Sequence, residues 1–129
     1  MGINILYIED DADSRALVKR VLESRGYTLL FATGGLAGVN MAENEEINLI
    51  LLDINLPDID GHEVARRIRQ STRKPSLAHL PIIAVTANAL KMDAKNAISA
   101  GCDAYMSKPI DIHELWAHVE TFLSSPPEG

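Results

Sequence analysis

The sequence has a single cysteine, Cys102, so it has no internal disulfide, and it fits a reducing, cytoplasmic setting. It also lacks any apolar run near the roughly 18 residues that would span a bilayer, so no membrane residence is expected. No cleavable export signal is expected at its start either. The apolar stretch of residues 3–8 has strand length and runs straight into Glu9, Asp10 and Asp11. Positive charge is in short supply: 12 Lys and Arg stand against 18 Asp and Glu, for a net charge of −6. Non-specific nucleic-acid binding depends on Lys and Arg neutralising phosphates, so direct binding of nucleic acid is not expected. The histidines, His62, His79, His113 and His118, include no pair three or four residues apart. That speaks against a zinc site and leaves them as surface residues. There is no internal repeat and no low-complexity segment.

What is present is the make-up of a globular domain. With 129 residues, 47% hydrophobic and 23% charged, the chain has room for one core and not for two. Residues 3–8 are apolar, β-favouring and too short for a helix, so they read as a buried strand. Leu17, Val18, Val21 and Leu22 then recur at helical spacing, and Gly26 stands where a C-terminal cap would sit. The alternation continues as strand 27–32, helix 36–42, strand 49–54, helix 61–70 and strand 81–86. Helix 89–100, closed by Gly101, strand 104–107 and helix 112–123 complete it. Gly38 inside the second helix costs about 1 kcal/mol relative to Ala. Asp111 and Glu114 resemble a capping box for the last helix. Residues 71–80 contain Pro75 and show no clear period, which predicts a loop. Residues 1–123 thus read as the domain, and residues 124–129, with Pro126 and Pro127, as a flexible tail or linker. Strands alternating with helices in this way imply right-handed crossovers and a parallel sheet covered on both faces.

In open parallel sheets, ligands bind at the carboxyl ends of the strands. Here those ends carry Glu9, Asp10 and Asp11, then Asp53, then Thr86, and finally Ser107, Lys108 and Pro109. Each has an ordinary explanation when taken alone. An acidic run before a helix is most often a cap that complements the helix dipole, a duty Asp13 or Ser14 can also fill. Thr favours strands, and Lys108 reads equally well as a solvated turn residue. Asp53 follows four apolar residues, and a carboxylate held among other acids at some desolvation cost needs a counter-ion. The coincidence at four separate strand ends favours a site. Glu9, Asp10 and Asp53 would offer hard oxygen ligands to Mg²⁺, with Mn²⁺ as a substitute. A divalent ion together with Lys108 would balance the three carboxylates. An ionised Asp53 could then attack phosphorus in line, while Thr86 and Lys108 meet the phosphoryl oxygens.

The strings ILYIEDD, LILLDINLPDIDGHE, IIAVTANAL and GCDAYMSKPI, in this order and at these spacings, resemble the motifs of two-component response-regulator receiver domains. The resemblance runs from about residue 3 to residue 123. It implies a flavodoxin-like (βα)5 three-layer sandwich with a five-stranded parallel sheet of order 2-1-3-4-5. It implies that Asp53 is the phosphoacceptor, that Glu9 and Asp10 hold the metal with Asp53, and that the Asn55 backbone carbonyl is a further ligand. Thr86 and Lys108 would bind the phosphoryl group, Thr86 and Tyr105 would act as switch residues, and the Lys108–Pro109 bond would be cis. Glu9 stands where many members have Asp. The wording of the last two strings is similar to receivers of hybrid sensor kinases and to stand-alone regulators. The implied donor is a histidine kinase or a histidine phosphotransfer protein, the implied output a downstream protein target, with a phosphorylation-dependent dimer as one available state. The chain would then be a phosphoacceptor switch and not an enzyme.

Rival readings fit less well. A phosphatase of the haloacid-dehalogenase kind needs a second Asp two residues after the nucleophile, where this chain has Asn55. A flavodoxin-like cofactor binder needs a phosphate-cradling loop after the first strand, where the acids would repel a phosphate. A pseudo-receiver acting only as an interaction module would have lost the acidic site, which this chain retains. Among other residues, Cys102 reads as a small apolar packer, Trp116 as core edge, and Asp58 and Asp60 as solvated turn residues around Gly61.

Overall fold

The computed structural model describes residues 2–87 and 100–124. Five strands, β1 (Asn4–Ile8), β2 (Thr28–Ala32), β3 (Leu49–Asp53), β4 (Ile82–Thr86) and β5 (Ala104–Ser107), form one sheet of order β2-β1-β3-β4-β5. All its pairs are parallel. Every residue of β3 and β4 is buried, which explains their uninterrupted apolar sequences, whereas the edge strands β2 and β5 mix buried and exposed positions. Successive side chains point to opposite faces. Leu6, Ile8, Ile50, Leu52 and Ile82 therefore share one core, and Ile5, Tyr7, Leu49, Leu51 and Ile83 the other.

The helices α1 (Ala12–Glu23), α2 (Gly35–Asn44), α3 (Gly61–Arg69) and α4 (Ile112–Ser124) cover these faces. Ala42 of α2 and Val64, Ala65 and Ile68 of α3 pack on the first. Val18, Val21 and Leu22 of α1, with Leu115 and Val119 of α4, pack on the second. The result is the three-layer, flavodoxin-like arrangement expected. The helix expected over residues 89–100 lies outside the described residues except for Ala100, a buried turn residue.

Some local expectations hold and others are corrected. The acidic run does cap α1, through Asp11, and Asp13 and Ser14 lie inside the helix. Asp11 has the extended backbone of a cap, and its Oδ2 accepts from the Ser14 N–H and the Ser14 hydroxyl, both at 2.8 Å. The stretch 71–80 contains a 3₁₀ turn, Pro75–His79, which starts on a residue whose missing N–H costs nothing there. Its buried Leu77 and neighbouring Leu80 give their carbonyls to Arg69 Nη1 at 2.8 and 2.6 Å. His62 is buried, not on the surface: it lies in the first turn of α3, 8% exposed, with Nδ1 2.9 Å from Asp60 Oδ1. His79 and His113 are exposed as expected.

Asp58 and Asp60 are exposed, and both also cap helices. Asp60 accepts from the His62 N–H of α3 at 2.7 Å. Asp58 accepts from the N–H groups of Gly35 and Leu36, at 2.7 and 2.9 Å, and so closes α2 from a loop remote in sequence. The Leu36 and Gly35 N–H groups hold the Asp58 carboxyl below the usual range.

Gly38 does sit inside α2, because a Cβ there would lie 2.4 Å from Ile8 Cδ1. The glycine lets the helix approach β1, and that packing offsets its poor propensity. Cys102 is buried, and burial pushes its thiol up to about 12. Trp116 is half-buried under the Arg25 guanidinium, 3.9 Å above its ring.

The tightest approach to backbone atoms lies beside Asp53. The Gly61 N–H donates to the Ile54 carbonyl at 2.9 Å, and a Cβ at Gly61 would stand 2.5 Å from Ile54 Cα and 2.7 Å from the Asp53 carbonyl oxygen. Backbone atoms cannot swing aside as a side chain can. Gly61→Ala is expected to lower the unfolding free energy by about 1–3 kcal/mol, read from urea denaturation. An unchanged midpoint would show that the loop relaxes freely.

Candidate functional site

Strand register assembles the site. Ile8 pairs with Leu52, so Glu9 leaves β1 beside Asp53, the last residue of β3. Asp53 pairs with Val85, and the next residue of β4, Thr86, pairs with Ser107. Lys108 follows at once, its N–H donating to the Thr86 carbonyl at 2.9 Å. The Lys108–Pro109 bond is cis.

Of the residues singled out in the sequence, Glu9, Asp10, Asp53 and Lys108 come together. One carboxylate oxygen from each of the three acids lies within 4.8 Å of the others. Lys108 Nζ is 3.0 Å from Glu9 Oε1 and 3.4 Å from Asp53 Oδ1. Glu9 and Asp53 are each 1% exposed, whereas Asp10 is open to solvent. Asn55 gives its N–H to Asp53 Oδ1 at 3.1 Å. Thr86 is fully buried at the end of the neighbouring strand, and Tyr105 stands on the edge strand, 40% exposed.

Charge and burial pull these groups in different directions. Desolvation raises Asp53, the Asn55 N–H lowers it and the Glu9 charge raises it again, leaving it at about 6. Desolvation also pushes Glu9 up, but hydrogen bonds from Lys108 and the Asp11 N–H outweigh it and hold Glu9 below the usual range. For Lys108 desolvation favours the neutral amine, and Glu9 with Asp53 overcomes it, so the ammonium form is strengthened. The site is therefore an acidic cluster with a fixed cation at one side.

Two contributors escaped the sequence. The Arg15 guanidinium donates to the Glu9 carbonyl at 2.8 Å, tying α1 to the end of β1. The Tyr7 hydroxyl donates to Glu9 Oε1 at 3.0 Å from inside the core. The period-2 spacing of Tyr7 and Glu9 was the available clue, because residues two apart on a strand share a face.

Comparison with known proteins agrees with this architecture. The family model described as the response regulator receiver domain matches residues 5–120. The chain is 32% identical over 123 residues to the polar-differentiation response regulator DivK of Brucella ovis, covering 95% of this chain and 98% of that one. It superposes with a TM-score of 0.87, at 34% identity, on the receiver domain of the sensor histidine kinase PA1611 of Pseudomonas aeruginosa PAO1. That match covers 97% of this chain and 100% of the other, which holds a magnesium ion coordinated in its active-site cleft. A putative response regulator of Chloroflexus aurantiacus gives a TM-score of 0.89 at 26% identity, covering 97% of this chain and 100% of that one. With a matching family model over residues 5–120 and a five-stranded sheet that superposes on solved receiver domains, the chain belongs to the receiver domains of two-component response regulators.

Proposed function

We propose that this receiver domain takes a phosphoryl group onto Asp53 in a Mg²⁺-dependent reaction and changes conformation to control a partner. The observation that carries this reading is Asp53 itself. Its carboxylate ends a buried strand within 4.8 Å of two further carboxylates and 3.4 Å from an ammonium group. A carboxylate in that position is both a nucleophile and a metal ligand.

The donor set suits a hard divalent cation, because Glu9, Asp10 and Asp53 offer only oxygen, and Mn²⁺ would be accepted in place of Mg²⁺. Glu9, Asp10 and Asp53 would hold the ion, with the Asn55 carbonyl as a further ligand. When bound, the ion neutralises charge on the phosphoryl oxygens and on the acids around them. Asp53 attacks phosphorus in line, the donor's nitrogen leaves with the bonding electrons, and Lys108 and the Thr86 hydroxyl meet the oxygens of the transferring group. The donor is a phosphohistidine on a histidine kinase or histidine phosphotransfer protein. An open cavity of about 520 Å³, bounded by Asp13, Leu17, Lys108 and Ile110, lies beside Lys108 and leaves room for it to approach.

Asn55, two residues past Asp53, cannot relay a proton to speed hydrolysis, so the domain acts as a switch and not as a phosphatase. Thr86 and Tyr105, on the paired strands β4 and β5, carry the change outward, to a downstream protein or a second copy of the chain. The setting is cytoplasmic; among the described residues no helix is long and apolar enough to cross a membrane.

Incubation with acetyl phosphate and Mg²⁺ should add one phosphoryl mass, removable by neutral hydroxylamine, as read by mass spectrometry. Asp53→Asn should add none, and Asp10→Ala or excess EDTA should cut labelling at least tenfold. Stable labelling of Asp53→Asn would move the site elsewhere.

The raised Asp53 sets a stability profile in metal-free protein. A carboxyl at about 6 when folded, against its ordinary value of 3.8 when unfolded, stabilises the fold below that lower value. This contribution is lost as pH rises through about 6. Asp53→Asn, neutral at every pH, escapes the loss. In chelator it should melt above the parent at pH 8 and approach it at pH 5, which calorimetry can follow. A gap that widens toward low pH would contradict the assignment.

Thr86→Ala should still accept the phosphoryl group. Its Tyr105 resonances should shift less on adding beryllium fluoride with Mg²⁺ than those of the parent. Equal shifts would take Thr86 out of the coupling.

A further inference from the structure

Tyr7 is the penultimate residue of β1, wholly buried on the face that packs against α1 and α4. Residues two apart on a strand project to the same side, so β1 delivers this phenol directly beneath Glu9. Its hydroxyl donates to Glu9 Oε1 at 3.0 Å, a bond between two side chains that are both shut off from water. The second oxygen, Oε2, accepts from the Asp11 N–H at 3.1 Å. Lys108 Nζ shares Oε1 at 3.0 Å. Glu9 is thus gripped from below, from its own chain and from the cation side.

Glutamate has one more rotatable bond than aspartate, so a glutamate at this strand end has more orientations to lose before it can act as a ligand. A buried phenol hydroxyl also needs a partner, and the Glu9 carboxylate provides it. We propose that Tyr7 is a positioning residue for the cation site: its hydroxyl fixes the Glu9 carboxylate so that Glu9, Asp10 and Asp53 present their oxygens together. The hydroxyl is what suits a glutamate to this place. This rests on the reading of the cluster as a Mg²⁺ site. Without the hydroxyl, Oε1 keeps the Lys108 ammonium as its side-chain partner among the described residues, and the carboxylate is drawn toward that cation.

Tyr7→Phe removes one oxygen and keeps the ring that fills the core. Titration of metal-free protein with MgCl₂, followed by backbone amide resonances around Asp53, should give a dissociation constant about tenfold higher than the parent's. The same substitution made in a Glu9→Asp background should change nothing, because the shorter side chain does not reach the hydroxyl. A merely structural role would not depend on residue 9, and thermal melts of all four proteins check that each is folded. Equal Mg²⁺ affinity for Tyr7→Phe and the parent would overturn the proposal, as would the same loss in both backgrounds. Those outcomes leave the site reading standing. A parent that binds no Mg²⁺ at all would overturn both.

Discussion

Three carboxylates share the end of one parallel sheet with a single lysine ammonium, and two of the three are shut off from water. Like charges at such distances repel, and desolvation adds to the cost of keeping them ionised. The cluster does not hold itself together. It exists because β1 and β3 are hydrogen-bonded neighbours with apolar side chains on both faces, and their register places Glu9 beside Asp53. The core therefore supplies the energy that forces the acids together, and the site stores the resulting charge imbalance. A divalent cation relieves this imbalance, and so does a proton on Asp53. The upward shift of that carboxyl is the same imbalance expressed in the metal-free protein.

Lys108 has to be delivered as accurately as the acids, although it comes from the edge strand, which has fewer neighbours to fix it. A second polar arrangement at the opposite end of β5 supplies the constraint. Asp103 Oδ2 accepts from Arg69 Nη2 at 2.8 Å and from the Ile82 N–H at 2.9 Å, while the Asp103 N–H donates to the Ile82 carbonyl at 2.8 Å. The start of β5 is thereby pinned to the start of β4, and the register then runs up to the Thr86–Ser107 pair just before Lys108. Arg69 also binds the Gly101 carbonyl at 2.9 Å, so a side chain of α3 sets the turn that feeds the strand. Asp58 plays the corresponding part after Asp53, anchoring the following loop to the start of α2.

The strands and the acidic cluster were legible in the sequence for one reason. A sheet covered on both faces needs unbroken apolar strands, so polar residues at their ends stand out: Leu49 to Leu52 can only be core, and Asp53 then marks the strand's end. The same logic found Glu9, Asp10, Thr86 and Lys108. What stayed hidden were contacts between residues far apart in the chain, such as Asp58 with Gly35 or Arg69 with Asp103. Periodicity carries no information about which remote groups a side chain will meet. For His62 a polar residue type suggests exposure, yet its position in the first turn of α3 faces inward and Asp60 provides a partner. Tyr7, a tyrosine in an apolar strand, looks from the sequence like core filling. Only the packed structure shows where the hydroxyl points.

The same interactions bound how far a phosphoryl group on Asp53 could drive the domain by itself. A hydrogen bond to a charged oxygen contributes roughly 1.5–3 kcal/mol, and moving a two-state equilibrium from about 1:99 to 99:1 needs roughly 5.5. Two full contacts, from Thr86 and Lys108, would reach that figure only at the top of the range. Lys108 cannot supply a full one, because its ammonium is already engaged with Glu9 at 3.0 Å and Asp53 at 3.4 Å and would exchange these contacts for the new one. Its net contribution is the difference between two charged interactions, smaller than either. On the proposed reading, phosphorylation alone leaves the switch incomplete, and a partner that binds the shifted state better supplies the remainder through its differential affinity. The strength of the existing Lys108 contacts thus makes the output depend on the target as well as on Asp53.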